Sequence, residues 1–177
     1  MFSFTESPRL TEFERHVLPH LDAAYNLARF LMRNDQDAED VVQEAALRAF
    51  RFFDSFRGEN SRGWFLSIVR NTGFTALKRN RMNEETVEFD EELHGREIPA
   101  LDAGTALDRA QDRQTIRAAI ERLPAEFREA ITLRELEGMS YKEIADIAGV
   151  PIGTIMSRLA RARRQLQLLL TKPPDNK

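Results

Sequence analysis

The sequence predicts an all-α chain made of two small helical domains joined by a flexible acidic linker. Three observations carry that expectation. Apolar residues recur at helical spacing through most of the chain. Between residues 82 and 104 the period is lost, and Gly95, Pro99, Gly104 and many acids take its place. No strand-like alternation and no internal repeat survive a pass along the chain. The 177 residues suffice for one medium domain or two small ones. The expected boundaries are 8–82 for the first domain, 83–105 for the linker and 106–172 for the second domain.

Each element follows from its own pattern. Leu10 to Met32 reads as a helix, with Leu10, Phe13, Val17, Leu21, Ala24, Leu27, Ala28 and Leu31 on one stripe. Asn34 or Asp35 caps a second helix, whose early acids suit the positive end of the dipole. Its apolar stripe is Ala38, Val41, Val42, Ala45, Ala49 and Phe52. Asp54 to Ser61, with Gly58 and Asn60, is a loop. A third helix places Phe65, Ile68, Val69, Thr72 and Ala76 on one face. After the linker the helical pattern resumes near Ala106. Pro124 suits the first turn of a helix running to about Leu136, which Gly138 ends.

Composition narrows the function. Hydrophobic content of 42% and charged content of 31% describe a soluble globular protein. No apolar run approaches the roughly 20 residues of a membrane helix, so no direct membrane insertion is expected. Met1 to Leu10 contains Glu6 and lacks a basic start followed by an apolar core, so it does not read as a secretory signal. With no cysteine, disulfides, thiolate zinc sites and cysteine nucleophiles are excluded. His16 and His20 stand four apart, a spacing that can bind metal, but Pro19 lies between them and no carboxylate geometry supports a site; His94 is the third histidine. The chain is expected to be cytoplasmic, with no metal, no cofactor and no small-molecule substrate.

The net charge of −3 conceals segregation. Asp35, Asp37, Glu39, Asp40 and Glu44 form an acidic run. Arg70, Lys78, Arg79 and Arg81 form a basic one. Glu84, Glu85, Glu88, Asp90, Glu91 and Glu92 are acidic again. From Ile152 onward, Arg158, Arg161, Arg163, Arg164, Lys172 and Lys177 face only Asp175. Two basic segments separated by an acidic one suit two DNA contacts with a different partner elsewhere.

The strongest local signal lies near the end. Ser140-Tyr141-Lys142-Glu143 matches a capping box. A short helix from Tyr141 to Ala148 turns Ile144, Ala145 and Ala148 inward. Gly149 fits a left-handed stop, Val150-Pro151 makes the turn, and a second helix begins near Ile152. This is the helix-turn-helix pattern. At about 100° per residue, Ile152, Ile155, Leu159, Ala162 and Leu166 form a stripe that must bury. Thr154, Ser157, Ala160, Arg161 and Arg164 point the other way, toward base edges. Arg161 can pair bidentately with guanine, and Ser157 can bond either base type. Arg158, Arg163 and Arg164 suit phosphates.

These residues resemble a known family. Leu123-Pro124 with Arg128, Leu133 to Gly138, Ser140 to Ala145 and Gly153 to Arg163 look like region 4 of the extracytoplasmic-function (ECF) sigma factors of the sigma-70 family, typified by RpoE. Asp37-Ala38-Glu39-Asp40-Val41-Val42-Gln43-Glu44 looks like region 2.2, and Gly63-Trp64-Phe65-Leu66-Ser67-Ile68-Val69-Arg70-Asn71 resembles region 2.4. The match runs in order from about Leu10 to Leu168.

The resemblance implies partners and roles. Core RNA polymerase is expected as a partner through its β′ clamp and β flap, with promoter DNA, and an anti-sigma factor that occludes both domains. Asp40, Gln43, Glu44, Leu47 and Phe50 are expected to bind polymerase. Phe56, Arg57, Asn60, Ser61, Arg62, Arg70, Asn71, Lys78 and Arg79 are expected at the −10 element, with aromatic stacking worth about 1–3 kcal/mol per base. Most of Phe52, Phe53, Trp64 and Phe65 are expected in the core. Thr154, Met156, Ser157, Arg158, Ala160, Arg161, Arg163 and Arg164 are expected at the −35 element. Many relatives carry Arg or Lys at Met156 and a larger residue at Ala160, so the −35 preference is expected to be unusual. Linker acids Glu84, Glu85, Glu88, Glu91 and Glu92 are candidates to mimic nucleic acid inside the polymerase channel.

Two rival readings differ in kind. A stand-alone helix-turn-helix regulator would bind duplex DNA as a dimer without polymerase, and the Asp37–Glu44 motif argues against it. An enzyme with an attached DNA-binding domain would need a catalytic constellation; cysteine is absent, histidine is sparse and no Gly-rich phosphate loop occurs.

Overall fold

The computed structural model describes residues 7–84 and 106–171, and among them every regular element is helical. The expected linker beyond residue 84, with the candidate acids Glu85, Glu88, Glu91 and Glu92, lies outside the described residues. The first domain holds α1 (Pro8–Val17), a 3-10 turn (Leu18–His20), α2 (Leu21–Met32), α3 (Asp35–Phe52), a second 3-10 turn (Phe53–Ser55) and α4 (Ser61–Glu84). The second holds α5 (Ala106–Glu121), α6 (Ala125–Ile131), a π turn (Thr132–Leu136), α7 (Tyr141–Ala148) and α8 (Ile152–Thr171). The first domain thus runs as helix to Glu84, two residues past the expected boundary.

In the first domain α2, α3 and α4 pack on one another, and α1 closes the end. Leu27, Leu31, Ala38, Ala45, Phe65, Leu66 and Val69 are fully buried between them. Close approach of α2 to α4 depends on Gly73: a Cβ there would meet Leu31 Cδ1 at 3.1 Å. Asn34 is the cap of α3, accepting from the Asp37 N–H at 2.8 Å.

Several expectations are corrected. The helix expected over Leu10–Met32 is two helices, because Pro19 has no N–H to donate and its ring crowds the preceding turn; the chain crosses it as a 3-10 turn. Leu10 is exposed rather than packed. Phe52, expected on the buried stripe of α3, is 56% exposed, because it ends the helix beyond the core. The helix expected to reach Leu136 remains α-helical only to Ile131. It then widens, with Glu137 N–H bonded to Thr132 O and Met139 N–H to Leu133 O. Pro124 is its N-cap rather than part of its first turn.

The two domains pack together, α6 and the π turn against α2, and α7 against α4. Arg128 of α6 is 4% exposed. Its guanidinium donates to Phe30 O at 2.7 Å and Leu31 O at 2.9 Å, at the C-terminal end of α2, and also to Leu123 O. Burial pulls its pKa down to about 10, which still leaves it charged at neutral pH.

Replacing Leu31 with alanine removes side-chain volume where α2 meets α4, and is expected to destabilise the fold by about 2–5 kcal/mol. Urea unfolding followed by circular dichroism measures this. A loss below about 1 kcal/mol would show that the α2–α4 contact relaxes around the gap.

Candidate nucleic-acid interface

The helix-turn-helix forms as the sequence dictates. Ser140 Oγ accepts from Glu143 N–H at 3.2 Å, and the Glu143 carboxylate accepts from Ser140 N–H at 2.7 Å. These two bonds hold the Glu143 carboxyl below its ordinary range. Gly149 ends α7 at φ +67°, where a Cβ would be strained. In α8, Ile155, Leu159 and Ala162 are buried and Leu166 is half-buried. Ile152, expected on the same stripe, is 45% exposed at the first position of α8. Met156, Ser157, Ala160, Arg161 and Arg164 are exposed, and Thr154 is half-buried. An open groove lies along this face, lined by Glu126, Phe127, Gly153, Thr154, Ser157 and Arg161.

The other expected α8 arginines are differently placed. Arg163 pairs with Glu135 at 2.7 Å. Arg158 is half-buried, with Nη1 3.9 Å from Glu129 Oε2. Exposed Arg161 and Arg164 make no ion pair among the described residues.

In the first domain the loop before α4 is built on an aromatic stack. The Phe56 ring lies 4.8 Å from Trp64, 5.1 Å from His16 and 6.1 Å from Phe53. Trp64 is half-buried in this stack. Asn60 Oδ1 accepts from Gly63 N–H at 2.9 Å, and a Cβ on Gly63 would strike the Asn60 amide at 2.5 Å. Ser61 Oγ lies 3.1 Å from His20 Nε2. Burial, Arg62 and His16 lower the His20 pKa. Asn60 and Ser61 are therefore partly engaged in shaping the loop.

The remaining −10 candidates of this domain fall into two sets. Arg57, Asn71, Lys78 and Arg79 are exposed. Arg62 and Arg70 reach across to the second domain. Arg62 Nη2 donates to Glu137 O at 2.8 Å and to its carboxylate at 3.0 Å. Arg70 Nε donates to Glu129 Oε1 at 2.7 Å, while its guanidinium lies 4.2 Å from the Phe74 ring centre. Glu129 is 1% exposed; burial pushes its pKa up, opposed by Arg70 and Arg158.

On α3, Asp40, Gln43 and Glu44 are exposed and Leu47 is 68% exposed beside them. Phe50 is not part of this free face. It is half-buried, edge-on to Phe13 at 5.1 Å and under the Arg9 guanidinium at 4.5 Å.

Glu129, Glu137 and the interdomain role of Arg128 were not singled out from sequence. The one available signal was a charged pair, Arg128-Glu129, enclosed by the apolar positions Ala125, Ala130 and Ile131. Among the described residues there is no cluster of three or more metal-ligating side chains, and no helix is long and apolar enough to cross a membrane.

Among the described residues, two helical units, one of them carrying a capped helix-turn-helix with exposed arginines, define a fold suited to binding DNA. Comparison sharpens that class. Residues 16–82 match the family model for sigma-70 region 2, and residues 113–166 match that for sigma-70 region 4. The chain is 38% identical over 148 residues to the ECF RNA polymerase sigma-E factor of Haemophilus influenzae, covering 80% of this chain and 77% of that protein. It is 34% identical over 166 residues to the ECF RNA polymerase sigma factor SigE of Mycolicibacterium smegmatis, covering 92% of this chain and 63% of that longer protein. Among solved structures it is similar to the sigma factor RpoE of Bartonella quintana, crystallised with the anti-sigma factor NepR. That match has a TM-score of 0.71 and 34% identity, and covers 94% of this chain and 99% of that one. The chain belongs to the ECF sigma factors of RNA polymerase, a family of transcription initiation factors. Region 2 occupies the place where a stand-alone regulator would carry a sensing or dimerisation domain, so that alternative is not favoured.

Ser140→Ala removes the cap of α7 and is expected to cost about 1 kcal/mol at neutral pH, read from denaturant midpoints. The depressed Glu143 carboxyl sets the sign with pH. Its contribution is complete above the usual carboxylate value of 4.5 and is lost as pH falls through the lower folded-state value. The stability gap between the parent and Glu143→Gln should therefore shrink on acidification; a gap that widened would contradict the assignment.

Proposed function

We propose that this chain binds core RNA polymerase through the exposed face of α3, holds the opened −10 strand against the loop before α4 and the basic face of α4, and reads the −35 duplex with α8. The observation that carries the reading is the order of surfaces on one chain: an acidic face on α3, an aromatic and basic surface on α4, then a capped helix-turn-helix with exposed arginines.

Physical chemistry supports each part. Asp40, Gln43 and Glu44 flank the exposed Leu47, which makes an acidic surface with an apolar centre. Such a surface suits a basic protein helix and repels phosphate. Phe56 and Trp64 offer ring faces to an unstacked base, with Arg57, Lys78 and Arg79 nearby in the chain for phosphates. On α8, Arg161 and Ser157 face outward for base edges, and Arg164 for the backbone. Met156 and Ala160 offer apolar contact to thymine methyl groups in place of hydrogen bonds. An anti-sigma partner, such as the one bound to the Bartonella quintana relative, would occlude both domains, and a cytoplasmic location follows from the polymerase partner.

Run-off transcription with purified core enzyme on a genomic promoter library tests the function. The chain is expected to start transcripts that core enzyme alone does not. The double substitution Asp40→Lys, Glu44→Lys should weaken pull-down of core polymerase by tenfold or more, an effect of about 1.4 kcal/mol, while leaving the helical circular dichroism spectrum intact. Unchanged pull-down would contradict the α3 assignment. On −35 duplex DNA, Arg164→Ala should lower the slope of log affinity against log salt by about one; Arg161→Ala should also relax base preference. Measuring binding across a salt series distinguishes the two.

A further inference from the structure

We propose that one side of α1 and of the 3-10 turn after it is a splint for the loop before α4, holding that loop in the shape that receives the opened −10 strand, with His16 and His20 as positioning residues. The inference rests on the −10 reading above and names residues outside the surface which that reading assigns to the strand.

Arg9, Phe13, His16 and His20 recur at the spacing that puts residues on one side of a helix. Their partners follow in the same order along the segment from the end of α3 to the start of α4. Arg9 donates to Phe50 O at 2.9 Å and pairs with Asp54 at 3.1 Å. Phe13 stands edge-on to Phe50 at 5.1 Å and to Phe53 at 5.6 Å. The His16 ring lies 5.9 Å from Phe53 and 5.1 Å from Phe56. His20 Nε2 lies 3.1 Å from Ser61 Oγ. Both ends of the loop are therefore held, Phe56 by His16 and Ser61 by His20. Between them Arg57, Gly58, Glu59 and Asn60 are exposed. Gly58 turns this tip at φ +87°, in open space.

Fixed ends with a free tip suit a strand ligand. Ordering a mobile loop on binding subtracts from affinity, and a loop shaped beforehand avoids that loss. The burial of α1 itself falls to Phe13 and Val17, while His16 and His20 are only half-buried at its margin. The two rings are thus placed to shape the loop rather than to fill the core. His20 is chemically suited to this. Burial, Arg62 and His16 lower its pKa, so the ring is uncharged at neutral pH and adds no second cation beside Arg62. Its Nε2 can share a proton with the Ser61 hydroxyl. Neither histidine is assigned a contact with DNA; they act through Phe56 and Ser61.

The test uses holoenzyme assembled from core polymerase and the full chain. The probe is the non-template single strand across the −10 region of a promoter found by run-off transcription on the genomic library. His20→Leu should weaken binding of this strand by about tenfold or more. Core pull-down and binding of the −35 duplex, which depend on distant surfaces, should stay within about twofold of the parent. His20→Gln, whose amide can still bond the Ser61 hydroxyl, should recover most of the loss. Once Ser61 is alanine, His20→Leu should cost nothing further, because the two act through one bond. His16→Ala should weaken strand binding as well, and in the free chain should change the emission of Trp64, the one tryptophan, by releasing Phe56. Where His20→Leu melts well below the parent, His20→Asn, too short to reach Ser61, is read in its place. Unchanged strand binding, an equal loss on the −35 duplex, no rescue by glutamine, additive losses with Ser61→Ala, or unchanged Trp64 emission overturns the proposal. If the parent holoenzyme does not bind the strand, the −10 reading fails and the splint falls with it. If the parent binds and the histidine variants bind equally well, the splint alone fails.

Discussion

The Arg128 guanidinium sits where two domains meet, and much of the architecture follows from it. A helix ends with carbonyls that no N–H of its own can satisfy. In α2 the chain turns away at Arg33, in the left-handed conformation, and leaves Phe30 O and Leu31 O facing the second domain. Arg128 supplies both with donors while also tying Leu123 O in the turn between α5 and α6. A charged group 4% exposed is tolerated only because its donors are so engaged. That insertion joins α6 to the end of α2, beside the Glu129–Arg70 ion pair.

Charge segregation along the sequence acquires a structural meaning from this arrangement. The acids of α3 stay on an open surface. Glu129 of α6 and Glu137, just past the π turn, face the first domain instead, where they meet Arg70 and Arg62. Arg57, Lys78, Arg79, Arg161 and Arg164 are exposed. The net negative charge of the chain therefore says little about its affinity for nucleic acid; which arginines are free says more.

Local rules made much of the fold legible. The bounds of α7 and the start of α8 follow from the Ser140 capping box and Gly149, because those residues determine backbone geometry within a few positions. The all-helical class follows from periodicity alone, and the sigma resemblance from ordered motifs. What remained hidden depends on contacts distant in sequence. Periodicity assigns charged residues to solvent, so it cannot place Arg128 and Glu129 in an interface. It also reads through Pro19, and it does not see that Phe52 and Ile152, at the ends of their own helices, lie exposed. Phe50 was placed on the polymerase face because its position on α3 suggested it, yet Phe13 of α1 takes it inward. Arg62 and Arg70 were legible as basic and near the right motif; their pairing with Glu137 and Glu129 was not.

Hydrogen–deuterium exchange of the free chain and of its complex with core polymerase and promoter tests the whole account in one measurement. The account predicts that amides of α3 around Asp40 to Leu47 and of α8 around Thr154 to Arg161 slow on complex formation. Unchanged exchange in α3, or in α8, would contradict it.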